Sequence, residues 1–189
     1  RCIVVAPSLL EVQQYKDSCK GAGFVDPFPV DGRKMKCFKD YLAAGKNICT
    51  THHLFKNIDG EVLELLREYQ YELIIDEALE CIEIFDKLST SDLKMLFNQG
   101  CVHLEKGSER LRWNPEALPE YKGKFDEVYR LCVNGNLVWH KEKFLLWEFP
   151  FEAFHAFRRT TILTYLFEGS PMAAYLRMHG YNYEVLSIK

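Results

Sequence analysis

Hydrophobic positions change their spacing along the first half of the chain. Short apolar runs, rich in β-branched residues, occupy residues 2–6, 47–51 and 72–77, and the segments between them carry apolar residues at helical spacing. A continuous apolar run of this length is typical of a strand that is covered on both faces. The alternation predicts parallel strands joined by crossover helices, and the predicted fold class is therefore α/β.

Local signals predict where the helices of this half begin and end. Ser8 and Glu11 have the spacing of a capping box, which predicts a helix that begins after Ser8 and runs towards Cys19. Two more helices are predicted over residues 34–44 and 61–69, and the first of them is followed by a glycine that is typical of a helix end.

Between about residue 98 and residue 148 the pattern changes to short polar and aromatic runs, which predicts an antiparallel insertion (98–148). Asn134 and Gly135 stand between the apolar runs 128–132 and 137–140, and Asn-Gly in that position is a strong signal for a β-hairpin. A second hairpin is predicted from two runs further upstream, 102–104 and 110–113.

The strand and helix alternation returns after Pro150. A helix through Phe157 is followed by an apolar run at 160–167, which predicts another core strand of the parallel sheet. Pro171 stands at the first position of the next predicted helix, and a last strand is predicted over residues 183–188.

Composition indicates a globular, domain-sized chain. Its 189 residues are enough for one well-buried core, since 48% of them are hydrophobic and 27% are charged. No apolar run approaches the roughly 20 residues that a membrane-spanning helix needs, so we expect a soluble protein with no membrane partner. The seven cysteines include no CxxC pair, which favours reduced thiols and a cytoplasmic location.

Net charge does not by itself indicate a nucleic-acid-binding protein. At −3 the chain lacks the excess of positive charge that such proteins often carry. The densest basic cluster consists of Arg33, Lys34, Lys36 and Lys39. This cluster is either a local contact for a polyanion or a solvated helix face, and the sequence leaves both open.

Two adjacent carboxylates end the apolar run LIIDEAL at residues 73–79. At the carboxyl end of a parallel strand, Asp76 and Glu77 would face the crevice where open α/β sheets bind ligands. Asp76 would then hold Mg²⁺, mostly through water, and Glu77 would orient and deprotonate an attacking water molecule. The alternative is structural: Asp76 caps a following helix and Glu77 lies in its first turn.

The chain resembles the first motor domain of superfamily 2 helicases, and more closely the DEAD/DEAH-like helicase proteins of bacteriophages. VVAPSLLEVQQY (4–15) is similar to motif Ia, and NICTTHHLF (47–55) is similar to the nucleic-acid-contacting strand end that follows it. LIIDEAL is similar to motif II, the Walker B element, and RTTILTYLFEGSP (159–171) is similar to motif III. The resemblance implies a partial RecA-like sheet of the P-loop NTPase type across residues 1–189.

The resemblance also implies site residues and cofactors. Asp76 and Glu77 would be the catalytic acidic pair that acts on ATP, with Asp76 as the Mg²⁺ ligand. Thr164 would couple hydrolysis to nucleic-acid binding through hydrogen bonds towards motif II, although threonine is also an ordinary strand residue. DNA or RNA would be the partner, contacted by Pro7, Ser8, Thr51 and His52. Helix capping alone would equally explain Ser8, and a satisfied loop histidine would equally explain His52.

The sequence departs from the family in three respects. No G-x-x-x-x-G-K-[ST] loop occurs, the fourth residue of motif II is Leu79 in place of Asp or His, and no second motor domain follows. We therefore expect the Walker A segment and the second motor domain to belong to the intact protein, and this chain to be inactive alone. If phage-encoded, the protein would act in the host cytoplasm. The alternatives are a non-catalytic nucleic-acid or protein-binding module on a degenerate RecA-like scaffold, and an unrelated small α/β enzyme.

Overall fold

A computed structural model describes residues 1–187 and divides the chain into two compact units. Arg1–Glu80, together with the segment that follows Pro150, forms the first unit, and Cys81–Pro150 forms the second. A four-stranded parallel sheet lies in the first unit, and two small antiparallel sheets lie in the second. The fold class is α/β, as predicted.

The first unit begins with three strands that are separated by helices. The predicted strands and helices of this half are confirmed, with boundaries that agree to within about one residue. In chain order the elements are β1 (Cys2–Ala6), α1 (Leu9–Ser18), α2 (Lys34–Ala43), β2 (Ile48–Thr51), α3 (His52–Phe55), α4 (Gly60–Tyr69) and β3 (Glu72–Asp76).

The inserted second unit mixes short strands and helices. It begins at Cys81, earlier than the predicted insertion of about 98–148. Strand order is β4-β8-β7 in one antiparallel sheet, and β5 pairs with β6 in the other. In chain order the elements are β4 (Ile82–Ile84), α5 (Thr90–Asn98), β5 (Val102–Leu104), β6 (Leu111–Trp113), α6 (Asp126–Asn134), β7 (Leu137–His140) and β8 (Phe144–Glu148).

One predicted hairpin of this unit is correct and the other is wrong. β5 and β6 pair as expected, but the run before Asn134-Gly135 is helix α6 and not a strand. Two acids occupy its first turn, and Val128 and Cys132, four residues apart, are both buried, which is the spacing of a buried helix face. Gly135 has φ +71° and ends this helix in the left-handed conformation. β7 instead pairs with β8.

The chain then returns to the first unit with α7 (Glu152–His155), β9 (Arg159–Leu163) and α8 (Pro171–Met178). β9 is shorter than the predicted strand 160–167. Pro171 is at the first turn of α8, as predicted. The strand predicted over 183–188 is wrong for residues 183–187, which have no regular structure, and Ile188 lies outside the described residues.

All four strands of the large sheet are parallel, in the order β2-β1-β3-β9. Its core consists of fully buried aliphatic side chains such as Ile3, Ile48 and Ile75. The chain moves from β1 outward to β2 and then back across to β3, so the direction of the strand order reverses between β1 and β3. In open α/β sheets, a reversal of this kind leaves a ligand-binding crevice at the carboxyl ends of the strands.

Candidate functional site

The four parallel strands end level with one another. Ala6 lies opposite Thr51, and Asp76 lies opposite Leu163 in the strand register. Because neighbouring strands are separated by about 4.8 Å, the ends of the four strands span an edge of about 14 Å. Most of the residues that the sequence singled out follow these strand ends, and we call this region the carboxyl edge.

Asp76 is the half-buried centre of the carboxyl edge. Tyr15 of α1 forms a hydrogen bond with its carboxylate. Burial, followed by the negative charge of Asp76 and this hydrogen bond, raises the pKa of Tyr15 to about 12. Tyr15 therefore keeps its proton at neutral pH and is a donor for the Asp76 carboxylate.

Sequence reasoning missed Tyr15, although a signal for it existed. α1 begins with a capping box, and Val12, one helical turn before Tyr15, is buried in the cluster with Val4 and Ala6 of β1. Residues three apart on a helix share a face, so the helical spacing placed Tyr15 against the sheet. Its contact with Asp76, however, depends on the side-by-side placement of β1 and β3, which local spacing does not encode.

His52 supports the same residue from the β2 side. Its Nε2 lies 2.8 Å from the backbone oxygen of Asp76. A carbonyl oxygen only accepts hydrogen bonds, so Nε2 carries a proton and donates it. Burial lowers the pKa of His52, and the charge of Lys56 lowers it further against the opposing effect of Asp76, so the ring is neutral at physiological pH.

Glu77 leaves the line of β3 and turns with the loop. Its φ is +64°, a left-handed conformation that non-glycine residues adopt at a cost, and its side chain is exposed. Thr164 Oγ1 donates a hydrogen bond of 3.1 Å to Glu77 Oε2, and the Glu77 amide donates one of 2.8 Å to the Leu163 carbonyl. The ends of β3 and β9 are thus joined through Glu77.

The helix-capping explanation of the two acids is wrong. Residues 77–89 contain β4 and loops, and the next helix begins at Thr90 under a Ser89 cap. Neither Asp76 nor Glu77 therefore lies at the start of a helix. Leu79 is buried, with its amide 3.2 Å from Met172 Sδ, so this position belongs to the core.

Two of the expected nucleic-acid-contacting hydroxyls already have local partners. Ser8 Oγ lies 2.7 Å from Glu11 Oε2, and the reciprocal capping box of α1 is complete, as predicted. Thr51 Oγ1 accepts a hydrogen bond of 3.4 Å from the Leu54 amide at the start of α3. Pro7 is exposed in the turn after β1. All three residues lie at the carboxyl edge, but within residues 1–187 none of them forms a hydrogen bond or ion pair with Asp76 or Glu77.

Two of the four residues of the basic cluster at 33–39 form ion pairs. Lys39 Nζ lies 2.7 Å from Asp59 and 2.5 Å from Glu61, and Lys36 Nζ lies 3.1 Å from Asp31. These ion pairs favour the interpretation of the cluster as an ordinary solvated helix face.

Aromatic residues near the end of the insertion divide between the two units. Trp147 and Phe149 belong to the insertion, with ring centroids 6.4 Å apart. Phe154 and Phe157 belong to the first unit and are mostly buried there.

Within residues 1–187, no group of three or more His, Cys, Asp and Glu side chains is arranged to hold a metal ion. Mg²⁺ commonly takes only one or two carboxylates from the protein and completes its shell with water and substrate phosphates. Asp76, with Glu77 beside it, offers oxygen donors of that kind. A glycine-rich phosphate cradle, by contrast, occurs nowhere in the 189 residues.

These features define an open-sheet α/β protein with a carboxylate site at the carboxyl edge of its parallel strands. The chain is similar to the SPbeta prophage-derived uncharacterized protein YonV of Bacillus subtilis (strain 168), with 32% identity over 195 residues. The alignment covers 98% of this chain and 47% of that protein, so the chain spans about half the length of this relative.

A family match falls within the insertion. Residues 82–147 match the YonV middle domain, and these limits lie inside the second unit, Cys81–Pro150. No solved structure matches the chain. Across residues 1–187, every helix is too short or too polar to cross a membrane.

Proposed function

We propose that this chain is part of an ATP-dependent DNA or RNA helicase or translocase, and that it supplies the acidic pair of a RecA-like motor domain. The observation that carries the proposal is the hydrogen bond between Thr164 and Glu77. It joins the two segments that resemble motifs II and III, at the edge where a parallel sheet binds ligands. Neither Asp76 nor Glu77 lies at the start of a helix, so helix capping does not explain the two acids. This supports the same proposal.

Asp76 is the proposed Mg²⁺ ligand. Tyr15 orients its carboxylate, and His52 holds the backbone at the same residue. A carboxylate that is fixed in this way does not have to be ordered when the ion binds, which favours binding. Bound Mg²⁺ would neutralise phosphate charge, which is the usual contribution of the metal to phosphoryl transfer.

Glu77 is the proposed base that orients and deprotonates the attacking water. Its side chain is exposed at the edge, and its backbone is held in an unfavourable conformation, which is common at functional sites. Thr164 donates to one carboxylate oxygen and leaves the other for water. Movement of the loop after β9 on nucleic-acid binding would therefore change the position of Glu77, and this link is the proposed coupling.

The phosphate-binding half of the site would lie outside these residues. The sequence has no Walker A loop, and the curated relative is about twice as long as this chain, which leaves room for the missing parts in an intact protein. The name of that relative describes it as prophage-derived, in keeping with the phage-type resemblance.

A non-catalytic binding module is the second candidate, and one observation favours it. Ser8, Thr51 and Tyr15 already use their hydroxyl groups in contacts within the chain. A site whose polar groups are satisfied internally can persist for stability alone, after turnover has been lost.

The test uses the intact protein and nucleic-acid-stimulated ATP hydrolysis. Glu77→Gln should lower kcat by about 100-fold or more while ATP remains bound, because general-base catalysis typically contributes 10²–10⁴-fold. The matched control is Glu68→Gln, which neutralises an exposed acid on α4 and should change kcat less than about twofold.

Thr164 provides a second arm of the experiment. Thr164→Ser keeps the hydroxyl that donates to Glu77 and should retain stimulation by nucleic acid, whereas Thr164→Val should reduce stimulation more than basal hydrolysis. Unchanged turnover in Glu77→Gln would rule out the catalytic assignment. No ATPase activity in the intact wild-type protein, with nucleic acid still bound, would favour the binding module.

A further inference from the structure

One small sheet of the second unit has an apolar face that is open to solvent. Residues that lie directly opposite each other in β4, β8 and β7 point to the same face of this sheet. The inner face is buried, and it carries Leu137, Leu145 and Trp147. The opposite face, which we call the outer face, carries five apolar side chains: Ile82, Ile84, Val138, Phe144 and Leu146.

Three of these five side chains are largely accessible to water, although both units of the chain are present. Ile84 is 72% exposed, Phe144 is 55% exposed and Ile82 is 43% exposed. An antiparallel sheet with one solvated face normally alternates apolar and polar residues, whereas β8 is apolar at four consecutive positions, 144–147. Such a run is typical of a strand that is covered on both faces. The outer face is therefore suited to contact with another protein surface.

Polar side chains at the two ends of the outer face already have partners within the second unit. The Glu148 carboxylate forms an ion pair of 2.7 Å with Arg110. At the other end, His140 Nδ1 lies 2.9 Å from Glu109 Oε2. The five apolar positions between these ends carry no charge. An apolar centre with a polar rim is the usual composition of a protein–protein interface.

We propose that the outer face binds the outer face of a second copy of this chain. In a two-fold symmetric dimer each surface meets its own copy, so a surface with an uncharged centre does not repel its partner. A flat sheet face packs well against another flat face at about 10 Å, because the side chains of both faces interdigitate. A second copy supplies a face of the same size and the same chemistry. The interface belongs to the second unit and does not depend on the function proposed for Asp76 and Glu77.

The size of the outer face determines how strong this association should be. Three strands at about 4.8 Å spacing, with about five residues at about 3.4 Å each, give a footprint of at most about 14 by 17 Å. This footprint is about 240 Å², whereas a standard interface buries about 800 Å² on each partner. The outer face can therefore supply the apolar centre of an interface, and the dimer should be weak enough to dissociate on dilution.

The test is sedimentation velocity of the full chain between about 5 µM and about 500 µM, with EDTA present and without nucleotide. The mean mass should rise from that of a monomer towards that of a dimer. Ile84→Lys places like charges in the interface and should weaken association at least about tenfold. Val133→Lys is the matched control, since Val133 is a 53% exposed apolar residue on α6 of the same unit. This control should leave association unchanged, and far-UV circular dichroism would verify that both variants are folded.

Photocrosslinking locates the contact without a charged substitution. When Phe144 is replaced by the photoreactive p-benzoylphenylalanine, irradiation should produce a covalent dimer. Its crosslink should lie on residues 82–84 or 137–148 of the second copy, which are the strands of the same sheet. The same photoreactive residue in place of Val133 should produce no covalent dimer.

A chain that stays monomeric at every concentration would overturn the proposal and would leave a different protein as the occupant of the outer face. Equal weakening by Ile84→Lys and Val133→Lys would also overturn it, as would a crosslink from position 144 to residues outside the sheet. Concentration-dependent dimers that Ile84→Lys alone disrupts, with the crosslink in the sheet, support it. None of these measurements involves ATP hydrolysis at the carboxyl edge, so the two proposals fail independently.

Discussion

At the scale of single residues, the most informative position is Glu77. Its backbone lies in the left-handed region at φ +64°, where glycine is favoured and most other residues are strained. Glycine would satisfy this turn at lower cost, so the glutamate reduces local stability. Five other non-glycine residues of the described chain share this conformation: Asp31, Gln70, Lys141, Glu142 and Leu166. The hydrogen bond from Thr164 depends on this conformation, because it brings the side chain towards β9.

The backbone strain at Glu77 predicts an order of stability between two variants. Glu77→Gly and Glu77→Ala both remove the carboxylate, but only glycine relieves the left-handed strain, so Glu77→Gly should be more stable by about 1 kcal/mol. Urea unfolding of the chain measures this difference.

A control pair at Glu68 should show the opposite order. Glu68 lies inside helix α4, where glycine is less favourable than alanine by about 1 kcal/mol. If Glu77→Ala were as stable as Glu77→Gly, the conformation of this loop would differ from the one described.

At the scale of elements, Tyr71 links the end of α2 to the start of β3. Its side chain is fully buried, and its hydroxyl is 3.1 Å from the Leu42 carbonyl and 3.0 Å from the Lys46 carbonyl. Carbonyl groups at a helix end have no partner within the helix. The Leu42 carbonyl also accepts a hydrogen bond of 2.9 Å from the Gly45 amide, so the main addition from Tyr71 is a donor for the Lys46 carbonyl just after the helix.

Tyr71→Phe should destabilise the chain by about 1 kcal/mol, because it removes the buried hydroxyl that lies within hydrogen-bonding distance of the Leu42 and Lys46 carbonyl groups. Burial raises the pKa of Tyr71 to about 12, so above pH 10 the unfolded chain ionises this group while the folded chain does not. Stability thus falls as the pH rises above 10, and the variant should lose less stability there than the wild type. Urea titrations at pH 7 and pH 10.5 measure both effects.

The exposed Tyr165 provides the control for Tyr71. Tyr165→Phe should change stability by less than about 0.5 kcal/mol, since this side chain is 83% exposed. A loss at Tyr165 equal to the loss at Tyr71 would contradict the role assigned to the buried hydroxyl.

Elements with strong local signals could be predicted from the sequence, and those that depend on tertiary context could not. The capping box at Ser8 and the proline at Pro171 fixed two helix starts correctly. Asn134-Gly135 led to a wrong hairpin prediction, because a left-handed glycine ends a helix as readily as it forms a hairpin turn. Only the burial of Val128 and Cys132 distinguishes the helix from the strand.

At the carboxyl edge, too, residues with a local sequence signal could be predicted and their tertiary contacts could not. Asp76 and Glu77 followed from a strand that ends in two acids, a pattern visible in the sequence. Their partners Tyr15 and Thr164 come from other parts of the chain. Such contacts require the strand order, which periodicity along one segment does not contain.

At the scale of the whole molecule, the chain consists of a sheet unit interrupted by an inserted unit. The Phe149 amide donates a hydrogen bond of 2.8 Å to the Cys81 carbonyl, so the chain enters and leaves the insertion at adjacent points. The buried residues of the insertion, among them Trp113 and Leu137, belong to its own sheets and helices. Each unit therefore has a core of its own.

This arrangement predicts that the sheet unit folds without the insertion. If residues 82–148 are replaced by a short Gly-Ser linker, β1 and β3 should still pair, because the linker only has to span two adjacent backbone positions. Hydrogen exchange should show amides of β1 and β3 protected as in the intact chain. Complete loss of that protection would mean that the sheet depends on the insertion.

The adjacent ends of the insertion also bear on how such a chain could have been assembled. A gene segment inserted between the codons for Cys81 and Phe149 enters as a single block and leaves the flanking protein in register. Recombination could therefore add, remove or exchange this block in one event. We expect relatives that keep the parallel sheet to differ most in the length and content of this one stretch.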